Sequence, residues 1–165
     1  MKIGKGVEWA AHACAILALL PQGKALPGDA LADFLGVPSP YMAKQLQALS
    51  RAGIVVAQRG VAGGYRLSRD PETVSLWDIT AAVEGTAPSF RCTEVRRNGP
   101  CGASPAECRG PCVIAASFQR AEAGYREALA AVPLSDLVAG GARDATAARK
   151  RDIKAWLEQY ATQRT

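Results

Sequence analysis

From Ile3 to Leu20 apolar residues recur with helical spacing, which predicts a single helix ended by Pro21-Gln22-Gly23. Val7, Ala10, Ala11, Cys14, Leu17 and Ala18 share one face, while Trp9, Ala13, Ile16 and Leu20 form a second apolar stripe. A helix apolar on two sides is expected to pack on both. Between the stripes stand Glu8 and His12, one turn apart and pointing the same way. They read either as a local surface pair or as two ligands that meet one metal ion or cluster edge.

A short helix over Ala30–Leu35, opened by Gly28-Asp29 and closed by Gly36-Val37-Pro38, precedes a second over Pro40–Ala52. Ser39 is the expected cap of the second, with Pro40 at its first position. Two helices around a tight glycine-containing turn make a helix-turn-helix pattern. Met42, Leu46 and Leu49 are expected inward; Tyr41, Lys44, Gln45 and Ala48 outward, with Arg51 at the end. Ile54–Ala57 and Tyr65–Ser68 read as strands flanking a glycine-rich loop that carries Arg59 and Gly60. A hairpin directly after a helix-turn-helix is a wing, able to place Arg59 in a minor groove.

Ser75 caps a helix over Leu76–Glu84, with Asp78 completing a capping box and Gly85 ending it. Val113–Val132 is a long helix whose Ile114, Ala115, Phe118, Ala121, Tyr125 and Leu129 suit packing against a second copy. After Pro133, Leu134–Val138 reads as a short apolar segment. Ala147–Tyr160 is predicted as an amphipathic helix with Ile153, Trp156, Leu157 and Tyr160 inward. Its Arg149, Lys150, Arg151 and Lys154 form a solvated basic face.

The expected fold is therefore mainly α with a small β-hairpin wing: a winged helix-turn-helix domain plus a long dimerisation helix. The expected division is a winged helix-turn-helix DNA-binding domain (1–85), a cysteine-rich loop (86–112), the dimerisation helix with its short segment (113–139), and a basic, helical tail (140–165). A net charge of +5 permits a polyanionic partner, and an exposed face of lysine, glutamine and tyrosine suits phosphate and base-edge contacts. One histidine, and glycines at 60, 63 and 64 with no following GK[ST], leave no basis for an enzyme mechanism or a nucleotide site. The apolar run behind Lys2 and Lys5 is too short to span a bilayer and is interrupted by Glu8 and His12, so the expectation is a soluble, cytoplasmic protein without a membrane partner.

Four of the five cysteines, Cys92, Cys101, Cys108 and Cys112, lie in one loop whose glycines and prolines forbid regular structure. Reduced thiols serving a metal, an iron–sulfur cluster or a disulfide switch are the readings these residues leave open. Cys14, on the core stripe, is expected to be a buried small hydrophobe.

The runs LGVPSPYMAKQLQALSRAGIV, RGVAGGYRLSR and LWDITAAVEG, followed by the cysteine loop, resemble the IscR/NsrR/RsrR family of winged-helix regulators over about the first 140 residues. The resemblance implies a dimeric transcription factor that binds a pseudo-palindromic operator in double-stranded DNA and senses redox state through an iron–sulfur cluster. Ser39, Tyr41, Lys44, Gln45 and Arg51 then fall on the recognition helix, and Arg59 and Gly60 on the wing. VEWAAHAC, CTEVRRNGP and CRGPCVIA are most similar to the RsrR branch. That likeness implies a 2Fe–2S cluster held by Cys108 and Cys112 of one subunit and by Glu8 and His12 of the other. Trp9 would adjoin it and change conformation with its oxidation state. The alternative ligand set is Cys92, Cys101 and Cys108, at spacings wider than the common family pattern.

Overall fold

In the computed structural model, which describes residues 3–58 and 63–163, helices dominate. Helix α1 (Lys5–Leu17) is followed by a two-residue strand β1 (Lys24–Ala25). Helices α2 (Gly28–Leu35) and α3 (Ser39–Arg51) come next, then the antiparallel hairpin β2 (Val55–Gln58) and β3 (Gly64–Leu67). Beyond it run α4 (Leu76–Glu84), α5 (Val113–Ala130), α6 (Leu134–Asp144), α7 (Ala147–Tyr160) and β4 (Thr162–Gln163). Among the described residues no helix is long and apolar enough to cross a membrane.

One apolar cluster holds these elements together. Ala10, Cys14 and Leu17 of α1 meet Leu26, Leu31, Met42, Leu46, Leu49, Ile54, Val74 and Ile79, and Leu134 and Leu157 reach the same cluster from α6 and α7. The inner face of α1 differs from the expected one: Ala13 is fully buried, whereas Ala11 and Ala18 are half-buried. Both α3 and α4 press on this helix, which draws Ala13 into the core. Burial pushes the Cys14 thiol up to about 12, so it stays neutral near pH 7.

Local signals operate where they were expected. Ser75 Oγ accepts from Asp78 N at 3.1 Å while Ser75 N donates to the Asp78 carboxylate at 2.8 Å. Gly36 ends α2 at φ 62, a left-handed conformation that a side chain disfavours. Ser39 is not a cap, however: it is the first residue of α3, Pro38 takes the cap position, and no side-chain cap bond forms.

Two segments extend further than their patterns suggested. Leu134–Val138 is the start of an eleven-residue helix, because Leu134, Leu137 and Val138 carry helical spacing through the glycine pair 140–141. At the other end β4 pairs antiparallel with β1, Lys24 opposite Gln163 and Ala25 opposite Thr162. Trp156 bridges Phe34 of α2 and Tyr160, with ring centroids 4.7 and 4.6 Å away. The last helix thereby docks on the helix-turn-helix.

Candidate functional site

Helices α1, α2 and α4 all pack against α3, leaving it a narrow outward strip. Tyr41, Lys44 and Arg51 lie on that strip as expected, with Ser39 exposed at its start. Gln45 does not: it is buried, and Ala48 with it. A Cβ at Gly6 would lie 3.1 Å from the Gln45 amide, so this side chain is fitted against a bare stretch of α1 backbone. The outward amide is Gln47, which sequence reasoning missed although 44, 47 and 51 share one helical face. Arg59 and Gly60 lie outside the described residues. The strip thus offers two cations, an amide and a phenol, a set suited to phosphates and base edges.

Tyr41 also connects this strip to α1. Its ring stands edge-on to Trp9, centroids 5.9 Å apart. Trp9 follows Glu8, and both Glu8 and His12 are exposed on the far side of α1. There they line a cleft of about 710 Å³ between α1, α6 and α7. Its interior is apolar, from Ala15, Ile16, Leu137, Val138 and Ile153, and its rim carries Arg149, Lys150 and Lys154.

The cysteine loop is organised by an ion pair. Arg96 Nε lies 3.1 Å from Glu94 Oε2, and Arg96 Nη2 donates to the Gly110 carbonyl at 2.5 Å. The Cys92 thiol donates to Glu94 Oε1 at 3.3 Å. Arg96 foremost, then the Cys92 thiol, holds the Glu94 carboxyl below the usual carboxylate range, and Cys108 acts in the same sense. Glu94 is the largest influence raising Arg96, to which the nearby sulfurs of Cys108 and Cys112 add. Cys108 and Cys112 are half-buried, whereas Cys92 and Cys101 are exposed. Cys112 immediately precedes α5, whose first turns expose Val113, Ile114 and Phe118.

Among the described residues no three His, Cys, Asp or Glu side chains of one chain gather closely enough to hold a metal ion. Neither the Glu8, His12, Cys108, Cys112 set nor the Cys92, Cys101, Cys108 set is assembled within a single copy. The candidate residues fall instead in two separate places, Cys108 and Cys112 on the loop and Glu8 and His12 lining the cleft. Their donor chemistry fits a 2Fe–2S cluster, with two sulfurs for one iron and harder ligands for the other.

A family model described as the Rrf2 iron-dependent transcriptional regulator matches residues 3–140. The chain belongs to the Rrf2 family. Rrf2 proteins are transcriptional regulators rather than enzymes. The HTH-type transcriptional repressor NsrR of Streptomyces coelicolor is 29% identical over 140 residues, covering 84% of this chain and 89% of that protein. An HTH-type transcriptional regulator of Synechocystis is 40% identical over 90 residues, 54% of this chain and 61% of the relative. IscR of Vibrio vulnificus is 30% identical over 92 residues, 56% and 55% of the two chains. The match thus spans less than two thirds of the latter two relatives. Among solved structures, IscR of T. potens superposes over 90% of this chain and 95% of its own at TM-score 0.65 and 21% identity, which shows a shared fold.

Proposed function

We propose that this Rrf2 protein is a homodimeric, DNA-binding transcriptional regulator that senses redox state through a 2Fe–2S cluster, as in the RsrR branch. The observation that supports this reading is the separation of the candidate ligands, which do not come together within one copy among the described residues. Glu8 and His12 stand in an apolar cleft, and Cys112 sits at the root of the exposed apolar Val113–Phe118 face. A second copy seating that face near the cleft would bury both apolar surfaces and bring Cys108 and Cys112 toward Glu8 and His12.

When bound, the cluster supplies a one-electron redox couple. The protein's contribution is mechanical. Helix α1 carries two of the ligands and packs along α3, with Trp9 on Tyr41 and Gly6 against Gln45 among the contacts. A small shift of α1 therefore moves the strip that bears Lys44, Gln47 and Arg51. A dimer reads half-sites about one helical turn apart, so such a shift changes operator affinity.

Anaerobic protein is expected to be coloured, with matched iron and sulfide, and its visible spectrum to change in His12→Ala. A colourless wild type would reject the cluster reading and leave a DNA-binding regulator without one. A spectrum indifferent to His12 would favour Cys92, Cys101 and Cys108. For the DNA face, Lys44→Ala should weaken binding uniformly across sequences and lower the salt slope by about 1. Gln47→Ala should cost ~1–3 kcal/mol on the preferred operator only, and Gln45→Ala should instead lower stability. Binding isotherms at several salt concentrations, alongside thermal melts, separate the three.

A further inference from the structure

We propose that Arg96 is a positioning residue for the thiol ligands, tying the Cys108–Cys112 turn to the Glu94 corner and fixing a positive charge on the main chain between the two cysteines. The proposal rests on the reading of Cys108 and Cys112 as cluster ligands. Gly110, whose carbonyl accepts from Arg96 Nη2 at 2.5 Å, lies midway between those two cysteines. The same guanidinium grips Glu94 through Nε at 3.1 Å and Nη2 at 3.5 Å. Its main chain is anchored as well, because Ala103 N donates to the Arg96 carbonyl at 2.8 Å. One planar fork thus spans both ends of a loop that has little regular structure of its own. The neighbouring Arg97 is exposed, so the arrangement is particular to Arg96.

Glu94 is built into the same device. At φ 51 it is the non-glycine residue with positive φ among the described residues, and it caps the short turn 95–97 on which Arg96 sits. The carboxylate receives the Arg96 fork and the Cys92 thiol together. A lysine would preserve the charge but not the fork, and a glutamine would preserve a donor but not the charge. That difference makes the two roles of Arg96 separable.

A fixed cation beside the cluster favours the form that has gained an electron and so raises the reduction potential. The experiment is potentiometric reduction of the anaerobic full-length protein, one electron passing from dithionite to the cluster with no bond made or broken. It is run on wild type, Arg96→Gln, Arg96→Lys and Arg96→Ala, with iron release to a chelator followed in parallel. Arg96→Gln should remain coloured and shift to lower potential, while Arg96→Lys should stay near the wild-type value. Arg96→Ala, lacking both charge and donor, should also lose iron several-fold faster. Loaded Gln and Ala variants with an unchanged potential would overturn the proposal, as would equal falls in the Gln and Lys variants. A coloured wild type keeps such a failure distinct from failure of the cluster reading, because a colourless wild type overturns both.

Discussion

Co-expressed His12→Ala and Cys112→Ala chains are expected to regain about a quarter of the wild-type cluster content, although each alone holds none. The expectation follows from the separation of the candidate ligands. In a two-fold dimer each cluster would take Glu8 and His12 from one subunit and Cys108 and Cys112 from its partner. Homodimers of either variant then lack a ligand at both sites. A mixed dimer has one site missing two ligands and one site wholly intact, built from the Cys112→Ala chain's α1 and the His12→Ala chain's loop. Random assortment makes roughly half of the dimers mixed, which gives the quarter. Iron and sulfide analysis of affinity-separated mixed dimers sharpens the test to one cluster per dimer. No recovery in mixed dimers would place all ligands within one chain and overturn the bridging arrangement.

Gly64→Ala should destabilise the protein by ~1–3 kcal/mol, lowering Tm by roughly 2–12 °C, and should weaken DNA binding through the hairpin. A Cβ at Gly64 would lie 2.6 Å from both the carbonyl carbon and oxygen of Leu26, and 3.0 Å from Pro27 N. These are backbone atoms and cannot rotate away. Nor can the strand simply back off, because Leu26 and Tyr65 exchange both main-chain hydrogen bonds, at 2.9 and 2.7 Å. The added methyl must therefore break the seam that fastens the hairpin to the segment before α2. Gly124→Ala is the contrasting control. It lies within α5 with nothing in the path of its Cβ, so the substitution should stabilise by about 0.5–1 kcal/mol. Thermal melts of both variants check the sign of each effect.

Most helices of this chain were legible because their signals are local. Ser75 and Asp78 announce α4 by chemistry that operates within one turn, and Ala147–Tyr160 is bounded as its periodicity indicates. Gln45 shows where such reasoning stops. Helical spacing orders residues around α3 but does not reveal that three helices cover it, and that coverage turns Gln45 inward while leaving Gln47 outside. The pairing of β1 with β4 was illegible for another reason: two-residue strands carry no periodicity, and their partners lie at opposite ends of the chain. The Arg96–Gly110 bond is equally non-local within its loop, so the cysteines could be read as a group but not as an arrangement.

The β1–β4 ladder also has a consequence for biosynthesis. Thr162 Oγ1 donates to the Ala25 carbonyl across 137 positions, so a nascent chain at 5–20 residues per second would wait roughly 7–27 seconds between making one and making the other. During that interval α1 through α3 can assemble, but Phe34 lacks the cover of Trp156, and the cleft holding Glu8 and His12 lacks its α7 wall. The newborn protein thus passes through a stage in which its carboxylate–imidazole pair is most open to the surroundings. Its final strand closes that interval only after both helix-turn-helix elements have already left the ribosome.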